Sequence, residues 1–367
     1  MKILFDHKIF TNQRFGGPSR YFVNLFENLN QLKENAFILC PIYINEYLKK
    51  SEFKDKIIGY SFPGIQSSGL FIKKFNLLIS NFLYKKINPD IIHTTYYDNF
   101  FIDEKKPLVI TVHDLIHEIY YQEFGKAKNY RPKKKILEKA SHIICVSENT
   151  KKDLLKYYNI KEDTISVVYH GSLNNEKIKL INDLKKFESE QPFFLYVGNR
   201  KRYKNFSILI NAFLSSNEIY NNFKIVCFGG GKILDTEKKY LQEKKFDLNK
   251  IINFPNYNDE LLYRLYKSAT ALIYTSSYEG FGMPILEAMS IGCPVISSNA
   301  SSLPEVYGDS ALNFDPLSSD ELLNCISKLV KNNEIKREFI DKGKKHSKKF
   351  TWEKCSKQTL EAYNKLI

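Results

Sequence analysis

The sequence predicts an α/β protein built from two doubly wound, Rossmann-like domains, and three observations carry that expectation. The chain has 367 residues, and at roughly 100–200 residues per domain this length supports two separate cores. Short runs rich in β-branched and aromatic residues alternate with longer amphipathic stretches, which is the rhythm of parallel βαβ units. That rhythm comes in two series, separated by the polar, Lys/Glu-rich stretch 174–191. Apolar residues make up 43% and charged residues 26%, with 16 Gly and 12 Pro, which excludes collagenous, coiled-coil and disordered chains.

The first series opens on KILFD, continues through an amphipathic helix over 17–30, and then runs AFILC, DIIH, LVITV, HIICV, a helix over 148–157, and ISVVY. The second series reads FFLYV, a helix over 205–214, KIVCF, a helix over 235–245, IINF, a helix over 259–267, ATALIYT, a helix over 283–291, and PVIS. A last helix over 352–366 is expected to pack back onto the first domain. The domains therefore fall at 1–173, completed by 351–367, and at 190–350. Doubly wound sheets take ligands beyond the carboxyl ends of their strands, so two of them are expected to face each other across an interdomain cleft.

Cysteines 40, 145, 227, 293, 325 and 355 are scattered, mostly inside apolar runs, with no CxxC pair and no Cys/His cluster; they read as reduced core residues. No apolar run approaches the roughly 18–20 residues of a bilayer span, and Asp6, His7 and Lys8 interrupt the start before a signal-peptide core forms. A cytosolic location is expected. The net charge of +14 favours an anionic partner: nucleic acid, an anionic membrane surface or a phosphorylated small molecule. Nucleic acid is disfavoured, because the 24 Tyr and 27 Phe fall largely within the apolar periodic pattern and no RNP, KH or zinc pattern accompanies them.

Four stretches carry chemistry. Gly16-Gly17-Pro18 follows the first strand and opens a helix; consecutive glycines let backbone N–H groups approach an oxyanion at a helix N-terminus. The stretch matches neither GxGxxG nor the P-loop. LVITV ends in His113-Asp114, with His117-Glu118 close behind. A histidine at the carboxyl end of a parallel strand can meet a sugar hydroxyl or a phosphate; His113 and His117 have the spacing of helical metal ligands, but no HExxH and no third ligand accompany them. After FFLYV, the turn Gly198-Asn199-Arg200-Lys201-Arg202-Tyr203-Lys204-Asn205 sets four cations within five positions, where such a domain positions phosphates. Finally, Glu279 and Glu287 stand eight apart, the first in a Gly-rich turn and the second in the following helix. That spacing can present the backbone N–H groups of Gly280, Phe281 and Gly282 to one end of a ligand and Glu287 to a vicinal diol such as ribose.

The stretch EGFGMPILE from Glu279 to Glu287, extended by EAMSIGCPVISSNASSLPEV and by VGNRKRYKN upstream, resembles the E-x7-E pattern of the retaining family 4 glycosyltransferases. FGGPSRY and TVHDLIHE are also similar to that family, particularly to its O-antigen and capsule mannosyltransferase-like branch. The resemblance spans nearly the whole chain and implies the GT-B fold, with donor nucleotide mainly on the second domain and acceptor on the first. It implies that Arg200 and Lys204 neutralise the donor diphosphate, that Glu287 holds the ribose, and that Glu279 with Phe281, Gly282 and the adjoining Gly280 and Met283 holds the donor sugar. It implies further that His113 lies at the sugar's reacting face and that Gly16 and Gly17 close over the diphosphate. Asn199 stands where an arginine is common, which leaves open whether Arg200 or Arg202 makes the diphosphate contact.

No Asp-x-Asp occurs, so the ligand of the metal-dependent glycosyltransferases is missing and a metal-free enzyme without cofactor is expected; Arg, Lys and helix N-termini can stabilise a leaving diphosphate alone. The resemblance implies front-face, retaining transfer of a hexose, mannose favoured, from GDP-mannose or a UDP-sugar to a saccharide on a polyprenyl diphosphate. A nucleotide-sugar epimerase or hydrolase of the same fold is the competing enzyme reading. In 70–87, apolar Leu70, Phe71, Phe75, Leu78, Phe82 and Tyr84 are interspersed with Lys73, Lys74, Lys85 and Lys86, the pattern of a basic helix lying at an inner-leaflet interface and equally of a helix packed on its own sheet.

Overall fold

The computed structural model describes every residue except 63–69, 98–104, 125–129, 174, 201 and 256–257. The chain divides into two compact units, one of Met1–Gly171 with Trp352–Ile367 and one of Ser172–Thr351. Among the described residues each unit holds one sheet, and all strand pairings are parallel.

The first sheet contains β1 (Lys2–Phe5), β2 (Asn35–Tyr43), β3 (Ile57–Ser61), β4 (Ile91–Thr94), β5 (Leu108–Val112), β6 (His142–Cys145) and β7 (Ile165–Val167). Their spatial order is β3-β2-β1-β4-β5-β6-β7. The chain works outward from β1 to one edge and then returns to lay β4 against β1, with Phe5 beside His93. Crossovers leave this pair in opposite directions, which opens a crevice at the carboxyl ends of β1 and β4. Both faces are covered, as a parallel sheet requires. Ile3 and Phe5 join Tyr21, Phe22 and Phe26 on one side, while Leu4, one residue out of phase, joins Ile110, Leu137 and Leu154 on the other, the two-residue alternation of a strand.

The helix Trp352–Asn364 closes this first unit. Its Cys355 and Tyr363 lie in the same cluster as Phe22 and Phe26, and Tyr363 Oη lies 2.5 Å from His93 Nδ1. The chain leaves the first unit at Gly171, where an added Cβ would stand 2.3 Å from the Trp352 backbone nitrogen; only glycine fits there.

The second sheet contains β8 (Phe193–Val197), β9 (Lys224–Phe228), β10 (Ile251–Phe254), β11 (Ala271–Tyr274), β12 (Val295–Ser298) and β13 (Leu312–Phe314), in the order β10-β9-β8-β11-β12-β13. Its reversal lies between β8 and β11, with Leu195 beside Leu272. Two strands, β3 and β13, go beyond the sequence reading: the first is a half-exposed edge strand and the second has three residues. The stretch read as a polar connector contains the helix Asn175–Asp183.

All six cysteines are unpaired, five of them buried, in keeping with their reading as reduced core residues. Among the described residues no helix is long and apolar enough to cross a membrane. The helix Leu70–Ile87 forms over the residues that its pattern predicts, and it does not turn its whole apolar stripe onto the sheet. Asn76, Ser80 and Tyr84 are buried, whereas Leu78 and Phe82 are 70% and 61% exposed and Phe75 is 38% exposed. Asn76 explains the rotation: its side-chain amide donates to Ile42 O and Thr11 Oγ1, and its oxygen accepts from Ile42 N–H. These bonds satisfy the irregular stretch of β2 where its register with β3 shifts between Leu39 and Ile42. Lys73, Lys74, Lys85 and Lys86 are exposed; the side chains of Leu70 and Phe71 lie outside the described residues.

Candidate functional site

In the second unit the two loops that leave the reversal point, one after β8 and one after β11, are tied together. Gly198 turns the chain out of β8 at a φ of +125°, and the cation run closes into a single 3-10 turn, Arg202–Lys204. Arg202 and Asn205 both adopt left-handed backbone, at φ of 52° and 53°, a conformation that non-glycine residues hold only when their surroundings impose it. Those surroundings are polar. Tyr196 Oη lies 2.7 Å from Asn199 O and 3.1 Å from Lys204 O, Thr275 Oγ1 donates to Lys204 O at 2.8 Å, and Ser277 N–H donates to Tyr203 O at 2.6 Å.

This strapping delivers Lys204 to Glu279. Lys204 Nζ lies 2.5 Å from Glu279 Oε1 and 3.4 Å from Tyr274 Oη, with the side chains of the pair 14% and 11% exposed. Tyr274 and Ser276 hydroxyls donate to the same oxygen at 2.9 and 2.6 Å. Burial and the neighbouring carboxylate push the Tyr274 phenol well above its ordinary range, so it stays protonated and donates. The arrangement is one-sided: Oε1 takes three protein donors, while Oε2 has no partner among the described residues. Lys204 likewise has three N–H groups and two described oxygen partners. One carboxylate oxygen and one ammonium proton thus have no protein partner among the described residues.

Arg200 is placed differently. All five of its N–H donors are engaged: Nε with Glu237 at 3.2 Å, Nη1 with Gly229 O and Asn253 Oδ1, and Nη2 with Gly231 O, Lys232 O and Glu237. It is a buried tie that fastens three consecutive left-handed glycines, Gly229, Gly230 and Gly231, beneath the cation turn; an added Cβ at Gly230 would lie 2.5 Å from Gly198 O. Arg202 is exposed on the turn, and Lys201 lies outside the described residues. Arg200, Arg202 and Asn205 also line a cavity of about 470 Å³ together with Phe206, Glu237 and Tyr240.

The Gly-rich turn after Glu279 is fixed by serines. Ser301 Oγ accepts from Glu279 N–H at 2.8 Å, and Ser302 Oγ lies 2.9 Å from Glu279 O and 3.2 Å from Phe281 O. Gly280, Phe281 and Gly282 are buried and Met283 is half-buried. Gly282, at a φ of +106°, starts the helix Met283–Ile291, and a Cβ there would lie 2.8 Å from Leu303 Cδ2. Glu287 lies on the buried side of this helix, with Tyr266 Oη 3.4 Å from its Oε2. The structure therefore joins Lys204 and Glu279 directly, with Tyr274 and Ser276 as partners that sequence reasoning missed although both hydroxyls lie within ATALIYTSS. It gives Arg200 and Glu287 separate partners.

His113, Gly16 and Gly17 belong to the first unit. His113 stands just past β5, half-buried. Its backbone N–H donates to Tyr97 Oη at 3.4 Å, and its Nε2 is enclosed without a protein partner. Burial first, and then the charge of Lys133, lower its pKa to about 3, so the ring is neutral and able both to donate and to accept. Gly16 caps the helix Gly17–Gln31 with no side-chain bond; Gln13 Oε1 accepts from Ser19 N–H at 3.3 Å instead, and a Cβ on Gly16 would meet that oxygen at 2.3 Å. Gly17 has open space where a Cβ would be. Among the described residues no three His, Cys, Asp or Glu side chains gather to hold a metal ion.

Residues 176–346 match the family model described as Glycosyl transferases group 1, and residues 15–172 match that of Glycosyltransferase Family 4. The chain is 30% identical over 286 residues to an O-antigen chain mannosyltransferase B of Escherichia coli, covering 73% of each. It is 26% identical to the O-antigen chain mannosyltransferase RfbU of Salmonella typhimurium over 82% of this chain and 83% of that one. Among solved structures, Anabaena HepE in complex with UDP and glucose superposes with a TM-score of 0.73 at 19% identity over 99% of both chains. WaaG, a glycosyltransferase of lipopolysaccharide biosynthesis, superposes with a TM-score of 0.70 at 16% identity over 97% of this chain and 98% of that one. With two all-parallel sheets that reverse at β1/β4 and β8/β11, and with both halves of the sequence matched, the chain belongs to the family 4 glycosyltransferases of GT-B fold.

Proposed function

We propose that the chain transfers mannose from GDP-mannose, with retention of configuration and without a metal ion, to a saccharide carried on a polyprenyl diphosphate. The observation that carries this reading is the Lys204–Glu279 pair with its Tyr274 and Ser276 hydroxyls. Lys204 turns its remaining N–H to the departing diphosphate, where charge builds up in the transition state. Glu279 Oε2 accepts from a hydroxyl of the donor sugar, and Glu287 from the ribose diol. His113, neutral and with a free Nε2, meets the sugar's reacting face. Gly16 and Gly17 offer backbone N–H groups to the diphosphate. The leaving phosphate removes the acceptor proton, so no second carboxylate is required. Mannose is favoured over a UDP-linked hexose by the mannosyltransferases among the relatives.

A lipid-linked acceptor has to be met at a surface. The outward Phe75, Leu78 and Phe82, flanked by exposed Lys73, Lys74, Lys85 and Lys86, suit an anionic lipid interface. At about 1 kcal/mol for each lysine near such a surface, attachment is reversible and salt-sensitive. Wild type should sediment at low salt with anionic but not neutral liposomes, and the four-lysine-to-glutamine variant should stay in solution; equal sedimentation of both removes this contact.

The central experiment offers GDP-mannose, UDP-glucose, UDP-galactose and UDP-N-acetylglucosamine to the purified chain in excess EDTA with a lipid-linked acceptor, and reads the product's anomeric configuration by NMR. An α-mannoside formed under EDTA is expected. Activity restored only by Mn²⁺ or Mg²⁺, free hydrolysis or epimerisation of the donor, an inverted product, or preference for a UDP-sugar each overturns the corresponding part.

A further inference from the structure

Behind His113 the first unit buries a charged pair for which the sequence gives no hint. Lys133 Nζ lies 3.0 Å from Glu118 Oε1, with side chains 3% and 0% exposed, and Tyr158 Oη donates to the same oxygen at 2.6 Å. Two charges withdrawn from water are costly to the fold, and replacing such a pair by neutral groups of similar shape is often neutral or stabilising. Stability alone therefore does not account for its presence.

The geometry of Lys133 gives a reason. Its ammonium donates to Asp114 O at 2.8 Å and lies 4.6 Å over the ring of Tyr97, whose hydroxyl accepts the His113 backbone N–H. The lysine thus grips the His113-Asp114 turn from both sides, through one carbonyl and through one ring. The ring neighbours of the His113 imidazole are uncharged: Tyr21 and Phe22 edge-on at 5.1 and 5.7 Å and His170 at 6.0 Å between ring centres, with His93 and His170 themselves held neutral by burial. Asp114 is the adjoining acid, and Lys133 is the cation that bears on His113.

We infer that Lys133, braced by Glu118, is a positioning residue that holds the His113-Asp114 turn and aims the His113 ring at the donor sugar. This rests on the placement of His113 at the reacting sugar argued above. A displacement of about 1 Å at such a site costs on the order of a hundredfold in turnover. The double variant Lys133→Met/Glu118→Gln removes the pair without stranding a buried charge, so the fold survives. Its kcat should fall about a hundredfold while the KM for donor and the nucleotide-induced thermal shift stay at wild-type values. The ¹⁵N shifts of the His113 imidazole should move. Lys133→Arg, which keeps the charge and the donors, should retain more activity than Lys133→Met. A double variant within threefold of wild-type kcat with unmoved His113 shifts overturns the inference. Full activity of His113→Ala instead overturns the assignment of His113, whatever Lys133 does.

Discussion

The carboxyl ends of the strands in the two units are built from opposite electrostatic materials. In the first unit His7 follows β1, His93 lies in β4, His113 follows β5 and His170 follows β7, and burial drives their proton affinity down, to about 3 for His7, His93 and His113. Asp6 is buried among the Thr94 and Thr95 hydroxyls, and burial raises its pKa. In the second unit the equivalent crevice is formed by formal charges, Lys204 against Glu279 and Arg200 against Glu237. Neutral imidazoles and hydroxyls both donate and accept hydrogen bonds, whereas an ammonium group only donates and a carboxylate only accepts. The same topology thus carries two different sets of polar groups, and the difference lies in side chains at the strand ends rather than in the sheets.

The sharpest way to break this comparison is at Arg200. If it is a tie, Arg200→Ala leaves Glu237 and several carbonyls without their donor and should destabilise the second unit by about 3–5 kcal/mol, seen as a lower thermal midpoint. The surviving folded fraction should turn over normally. A stable Arg200→Ala protein with depressed kcat would return Arg200 to the diphosphate.

Lys204→Met should lower kcat by about 10²–10³, or roughly 2.7–4 kcal/mol of transition-state stabilisation, with a smaller rise in donor KM. Glu279→Gln, which keeps an acceptor on the shared oxygen, should cost less, and equal losses in kcat and donor affinity for Lys204→Met would mean that it clamps the ground state. Glu287→Ala should weaken nucleotide binding by about 1.5–3 kcal/mol, measured by calorimetry, and unchanged affinity removes it from the ribose.

Acid should separate the two units. A histidine held near 3 in the fold and near 6.5 when unfolded leaves the unfolded chain binding more protons between those values. Its stabilisation is complete above 6.5 and is lost as pH falls toward 3, by about 1.4 kcal/mol per pH unit for each buried ring. His7 and His93 both act in this sense on the first unit, with Asp6, whose pKa is raised, acting against them. The second unit has one histidine, the half-buried His346. Calorimetry at pH 7 and pH 5 should show the first unit's transition falling further; transitions that fall in step would contradict the contrast. The smallest effect is expected from Tyr363→Phe, which deletes the bond to His93 and should cost the first unit about 1–2 kcal/mol without touching nucleotide binding.

The sheets were legible because largely buried parallel strands such as KILF, LVITV and FFLYV carry a nearly continuous apolar run. β3 was not, because an edge strand with one covered face lacks that run, and β13 was too short to show any period. At the site, Lys204 and Glu279 stood out within their local motifs, but their contact spans 75 positions and only the β8/β11 reversal creates it. Arg200 looked like one more cation of its run; the partners that define it lie 29 to 53 residues away. In the helix Leu70–Ile87 the apolar stripe was visible, but the side facing inward was decided by Asn76 answering an irregularity in another strand.

The return of the helix Trp352–Asn364 to the first unit also sets an order of events at the ribosome. The first unit is missing Cys355 and Tyr363 from its core until the helix Trp352–Asn364 emerges, whereas Ser172–Thr351 is synthesised without interruption. At about 5–20 residues per second, the growing chain carries a complete first sheet with an uncovered face for roughly 10–40 seconds while the second unit is made. The unit that is started first of the two is completed second, and its uncovered apolar face is the stretch a nascent-chain chaperone would meet.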